Sequence, residues 1–158
     1  MLNVLFVCTG NTCRSPMAEA LAREKADRGW GGKVEFSSAG TLDLESSPAS
    51  PLAVEVLSEI GIDLNTHRST HLNEEIIKSA DLIVAMAQRH KDVITMMVPD
   101  AEARVILLGE LDPQREEADI RDPIGGDREI YRQARDDLQS LIGPLFDHIR
   151  ERFDPGGR

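Results

Sequence analysis

A chain of 158 residues, 41% hydrophobic and 29% charged, suits one globular domain that buries most of its apolar surface unaided. A formal net charge of −10 without a basic stripe makes nucleic acid a poor partner. The N-terminal apolar run is too short for a membrane span and lacks a signal peptide's pattern, so a cytoplasmic protein with no membrane partner is expected, and a monomer. Two cysteines, Cys8 and Cys13, are too few for a zinc site, and no metal or cofactor is expected.

Leu2, Val4, Leu5, Phe6 and Val7 form a run that suits a strand buried on both faces of a parallel sheet. It stops at Cys8, and Gly10 with Asn11 marks a tight turn. Ser15 before Pro16 reads as a capping side chain followed by a proline at the first helical position. The helix predicted over Pro16–Arg28 is stopped by Gly29, Gly31 and Gly32. Trp30 among them is either an aromatic beside a site or a packed turn residue. Val34–Ala39 reads as the second strand, closing at Gly40, and 41–50 as a polar loop. A helix over Leu52–Ile60 ending at Gly61, a short helix over Asn73–Ser79, a strand over Asp81–Met86 and a helix over Gln88–Met97 follow. Arg104–Leu108 is the fourth strand, and Gly109–Arg121 an acidic loop that Pro113 and the following Pro123 keep irregular. The last helix is predicted over Asp127–Phe153, with 154–158 a frayed tail.

This alternation predicts a single α/β domain: a doubly wound, flavodoxin-like, four-stranded parallel sheet with helices on both faces. Right-handed crossovers place the loop after the first strand at the sheet's carboxyl edge, near the topological switch point. Strand, tight loop and helix start together aim successive backbone N–H groups and a helix dipole at one point, which makes an anion site. Cys8, at the strand end, faces that ring of amides, where the nucleophilic thiolate is favoured. Arg14 can fork two N–H bonds onto a tetrahedral oxyanion. A thiolate beneath an arginine-lined oxyanion pocket can attack phosphorus and become a phosphocysteine. A lone Cys8 would read as a small buried hydrophobe and a lone Arg14 as a surface charge; the two at this spacing in this frame read as a reaction site.

The stretch C-T-G-N-T-C-R-S-P, residues 8–16, resembles the phosphate-binding loop of the low-molecular-weight protein-tyrosine-phosphatase family: Cys, five residues, Arg, then Ser or Thr, almost at the N-terminus. The likeness recurs near Ser37–Gly40, near His67 and at Asp122–Pro123, and so covers nearly the whole chain. It implies phosphate binding by Thr9, Gly10, Asn11, Thr12, Cys13, Arg14 and Ser15, with Cys8 as nucleophile. It also implies a support network of Asn11, Ser15, Ser38 and His67, in which His67 holds the loop rather than moving a proton. Asn11 suits a left-handed loop position, and Ser15 can donate to the sulfur. Cys13 is either a buried helix-start residue or the redox partner that pairs with an oxidised Cys8.

The leaving group needs a proton, and three Asp-Pro pairs are candidates: Asp112–Pro113, Asp122–Pro123 and Asp154–Pro155. Asp154 falls in the tail. Asp122, in the last loop before the final helix, matches the family's general acid, whereas Asp112 matches an earlier L-L-G-x-x-D-P stretch.

Phosphotyrosine-selective members follow Asp-Pro with aromatic residues that wall the phenol ring; this chain has Ile124, Gly125 and Gly126 there, and Thr12 in place of a larger aliphatic residue. Those features resemble the family's bacterial protein-arginine-phosphatase branch. They favour phosphoarginine on protein substrates, with phosphotyrosine as the alternative. The same resemblance touches thioredoxin-coupled arsenate reductases, which need further cysteines. A dithiol redox protein would not need Arg14 or Asp122, and a non-catalytic phosphate-binding module would not need the thiol.

Overall fold

The strand β1 (Leu2–Cys8) lies inside the sheet of the computed structural model, which describes residues 1–154. It pairs in parallel with β2 (Val34–Gly40) on one side and β3 (Leu82–Ala85) on the other, and β3 pairs with β4 (Val105–Leu107). The order β2-β1-β3-β4 is the doubly wound arrangement whose switch point falls between β1 and β3. The pleat divides β1 between two cores. Val4, Phe6 and Cys8 face α1 (Arg14–Asp27), α2 (Pro51–Ser58) and α5 (Arg128–Phe153); Leu5 and Val7 face α3 (Glu74–Ser79) and α4 (Gln88–Met97). The expected α/β architecture is therefore present, and Cys8 is directed at the α1 side.

The helix boundaries follow from capping chemistry. Asn73 and Asp127 accept from the third backbone N–H beyond them, and Ser50 does the same for α2, which starts at Pro51 rather than Leu52 and ends at Ser58 rather than Ile60. Helix α5 continues through Pro144 because its apolar face, Leu138 and Leu141 before the proline and Leu145, Phe146 and Ile149 after it, is buried along the α1 side. That burial outweighs the roughly 3 kcal/mol a helix-interior proline costs.

Several expectations are corrected. Helix α1 begins at Arg14, not Pro16, and its cap position is Cys13, which makes no side-chain cap bond. Ser15 is not a cap: it stands inside the first turn and spends its hydroxyl elsewhere. Strand β4 is three residues long, with 3-10 turns over Pro99–Arg104 before it and Leu108–Leu111 after it, so the segment from Gly109 is not wholly irregular. Trp30 is a packed turn residue, edge-on to Phe146 with ring centroids 4.8 Å apart and with the Arg150 guanidinium 5.3 Å above its ring. Asp154 closes α5 in the left-handed region, its N–H bonded to the Arg150 carbonyl, rather than fraying. The rest of the tail, 155–158, lies outside the described residues.

Candidate active site

Between the end of β1 and the start of α1, the chain turns back over Cys8. Asn11 makes the turn possible: its φ of 55° is left-handed, which asparagine tolerates better than bulkier residues. The Asn11 side chain is fully buried and its amide orientation is determined by its neighbours. The Thr70 N–H donates to Asn11 Oδ1 at 2.9 Å, so Nδ2 faces Ser15 and donates to its Oγ at 2.8 Å. Ser15 Oγ, already accepting, lies 2.9 Å from Cys8 Sγ and is free to direct its proton there. The Asn11 N–H also donates to Cys8 Sγ, at 3.3 Å. Two donors thus converge on the sulfur, an arrangement that holds it in place and supports its later departure.

The loop is held from behind. His67 Nε2 lies 2.7 Å from the Asn11 carbonyl oxygen. The end of β2 packs against the loop so closely that a Cβ on Gly40 would stand 2.7 Å from the Thr9 carbonyl oxygen and 3.0 Å from Asn11 N. Only glycine fits there without moving the loop. Ser38 behaves otherwise: its buried Oγ makes no hydrogen bond to the loop, and the side chain it lies near is that of Glu19. Glu19 itself is pushed upward from the usual carboxylate range by burial, against the opposing pull of Arg23 and His67.

Arg14 is 2% exposed, and its guanidinium reaches three partners. NH1 donates to the Ile120 carbonyl at 3.0 Å; NH2 donates to Asp122 Oδ2 at 3.3 Å and more weakly to Thr9 Oγ1 at 3.5 Å. Ile120 is placed by its own N–H, which donates to the Met86 carbonyl beyond β3, and by Gly109, where a Cβ would collide with the Ala118 carbonyl. The Asp122 carboxylate is part-exposed, and its second oxygen accepts from the Ile124 N–H at 3.1 Å. A carboxyl group thus overhangs the loop next to the arginine, although Asp122 and Arg14 are 108 positions apart.

Thr12 is half-buried at the rim. Its carbonyl accepts from the Ser50 N–H, and its Oγ1 lies over Gly10, 3.4 Å from where a Cβ on that glycine would be. Leu44 Cδ1 crowds the same side of Gly10, 2.9 Å from the same point. Ile124 is 69% exposed, and Gly125 turns with a φ of 79°, so no ring follows the acid. Cys13 Sγ lies 3.8 Å from the Thr12 hydroxyl at the rim, 3.5 Å from Ser50 Oγ and 3.4 Å from the Tyr131 hydroxyl. Burial first, then the neighbouring Cys13, pushes Tyr131 up to about 12. Both cysteines are buried free thiols.

One residue of this neighbourhood carries no signal in the sequence. His90, on the first turn of α4 and 1% exposed, places Nε2 2.8 Å from Thr9 Oγ1. Burial, reinforced by Arg14 and Arg89, lowers it to about 4 against the weaker upward pull of Asp119 and Asp122. Asp112 lies in the turn after the second 3-10 segment, where it accepts from the Gln114 N–H rather than from the loop.

A buried thiol under two converging donors, an arginine fork and an overhanging carboxyl group define a cysteine-dependent phosphatase. The profile of the low molecular weight phosphotyrosine protein phosphatase family matches residues 3–154, and the chain belongs to that family. It is similar to the protein-arginine-phosphatase of Bacillus subtilis, 42% identical over 150 residues that cover 95% of this chain and 98% of that one. It is also similar to the low molecular weight protein-tyrosine-phosphatase Etp of Escherichia coli, 34% identical over 90% of this chain and 86% of that protein. Among solved structures, the YwlE arginine phosphatase of Geobacillus stearothermophilus superposes with a TM-score of 0.85 at 43% identity, over 96% of this chain and 94% of that chain. The chain is a protein phosphatase. Among its described residues no helix is long and apolar enough to cross a membrane.

Proposed function

We propose that the chain hydrolyses phosphoarginine on cytoplasmic proteins through a phosphocysteine at Cys8. The observation that carries this reading is the rim: the Thr12 hydroxyl lies over Gly10, and Asp122 is followed by an exposed aliphatic and a glycine turn rather than by a ring-stacking wall. A guanidinium is flat, polar and cationic. It suits a hydroxyl on one side and a carboxyl group on the other better than it suits an aromatic box. The protein-arginine-phosphatase relatives support the same choice. Two free buried thiols suit a reducing compartment.

The residues divide the chemistry as follows. The loop amides of Thr9 to Ser15 and the Arg14 fork bind the phosphoryl oxygens. The Cys8 thiolate attacks phosphorus as the bond to the arginine nitrogen breaks, and Asp122 gives its proton to that nitrogen. Asp122, now a carboxylate, takes a proton from a water molecule that attacks the phosphocysteine. The S–P bond breaks, the thiolate returns under the hydrogen bonds from Ser15 and Asn11, and phosphate leaves. Asn11 and His67 hold the loop; Ser38, with no bond to it, contributes through packing alone. Cys13 is the partner that protects an oxidised Cys8.

The test is turnover of phosphoarginine and phosphotyrosine peptides of one sequence, side by side, with Cys8→Ser as the control. A higher kcat/KM on phosphoarginine, lost in the control, supports the reading. A preference for phosphotyrosine transfers the site to the family's tyrosine branch with the mechanism unchanged.

A further inference from the structure

His90 lies outside the signature loop, yet among the described residues it is the one imidazole bonded to a side chain of the loop. Its Nε2 lies 2.8 Å from Thr9 Oγ1, and the same oxygen accepts from Arg14 NH2, which also reaches Asp122 Oδ2. The four side chains form one chain of contacts from α4, through the loop, to the general acid. We propose that His90 is the positioning residue that orders Thr9 against Arg14, so that guanidinium and hydroxyl meet the transferring phosphoryl group as one preorganised unit. The proposal rests on Arg14 being the phosphoryl clamp of the reading above.

The partners identify the tautomer. His90 Nδ1 is buried and has no hydrogen-bond partner among the described residues. A proton on Nδ1 would strand a buried donor, whereas a proton on Nε2 strands only a lone pair and gives Thr9 a donor. Nε2–H therefore donates to Thr9 Oγ1. That oxygen then accepts from both His90 and Arg14, and the hydroxyl proton of Thr9 is left to be given to a substrate oxygen. Burial and the Arg14 charge keep the imidazole neutral at neutral pH, which removes a repulsion that would turn Arg14 out of line.

The geometry makes His90 act through Thr9, and a double-mutant cycle reads that directly. The variants are His90→Phe, which keeps a ring and removes the donor, Thr9→Val, which removes the hydroxyl at constant shape, and the pair together. The readouts are the dissociation constant for inorganic vanadate, kcat and KM on p-nitrophenyl phosphate, and the melting temperature. Each single variant is expected to weaken vanadate binding and lower kcat by about tenfold or more, the scale on which small misplacements of a clamp act. The double variant is expected to be no worse than Thr9→Val alone. His90→Gln, which returns an N–H near the Nε2 position, is expected to recover most of the loss, and His90→Asn, which cannot reach, is not.

Single-variant losses that multiply in the double variant would overturn the proposal. So would a His90→Phe that melts earlier but binds vanadate and turns over as the parent does. If His90→Phe does not fold, the Gln and Asn pair decides: equal vanadate affinity in the two overturns it. Parent protein that binds vanadate but hydrolyses no phosphate ester or phosphoarginine would fail the phosphatase reading instead, and the vanadate cycle would still decide the role of His90.

Discussion

Arg14 NH2 and Asp122 Oδ2 stand 3.3 Å apart, one at the start of α1 and the other in the loop before α5. In the proposed mechanism, the pair links the group that binds the phosphoryl oxygens to the group that protonates the leaving atom. With the Arg14 side chain 2% exposed, and NH1 bonded to the Ile120 carbonyl, the guanidinium has little freedom, so the contact locates the Asp122 carboxyl as well.

Replacing Asp122 with Ala should slow hydrolysis of phosphoarginine and phosphotyrosine peptides by about a hundredfold or more, the usual worth of a general acid. On p-nitrophenyl phosphate, whose leaving group needs little protonation, the loss in kcat should be about tenfold or less. Steady-state kinetics on the two classes checks this, and the same leaving-group pattern from Asp112→Ala instead would reassign the acid.

Thr12→Ile removes the hydroxyl over Gly10 and adds bulk where Leu44 already crowds the rim. The ratio of kcat/KM for phosphoarginine over phosphotyrosine should fall by about ten- to two-hundredfold, the range one pocket group commands. An unchanged ratio removes Thr12 from selectivity.

Oxidation is expected to be reversible. Mild peroxide should convert Cys8 to a sulfenic acid that Cys13 captures as a disulfide, with loss of activity that a dithiol restores. Capture requires Cys13 to leave Ser50 and Tyr131, so Cys13→Ser should inactivate irreversibly. Peptide mapping reads the product, and a parent protein carrying only Cys8 sulfinic acid contradicts the protective role.

Acid should destabilise the fold partly through His90. Its folded value, about 4, lies below the ordinary 6.5, so the unfolded chain binds the proton first as pH falls. The stability in question is present above pH 6.5 and is lost as pH drops toward 4. Denaturant unfolding from pH 7 to pH 4 should therefore show a shallower decline for His90→Gln than for the parent, and parallel curves would contradict the assignment.

Much of this was readable in the chain because it is local. The apolar run before Cys8, the Cys-x5-Arg spacing and the Asp-Pro before the last helix each declare themselves within a few residues. The alternation of strands and helices gave the sheet. What escaped is long-range or ambiguous. His90 meets Thr9 across 81 positions, and Tyr131 meets Cys13 across 118, with no spacing rule to connect them. Ser15 beside Pro16 looks like a cap, because the same hydroxyl chemistry serves a helix N-terminus or a sulfur. The short β4 between 3-10 turns lost its ends because apolar runs of five residues do not distinguish strand from tight turn.

The most direct test of the account is the covalent intermediate. Turnover of a phosphoarginine peptide is stopped by denaturing quench within the first few catalytic cycles, and the phosphate is located by mass mapping of the digested protein. The account predicts phosphate on Cys8, absent when substrate is omitted and when Cys8 is replaced by Ala. Turnover that proceeds with no phosphate on Cys8, or that survives Cys8→Ala within about tenfold of the parent, would contradict it.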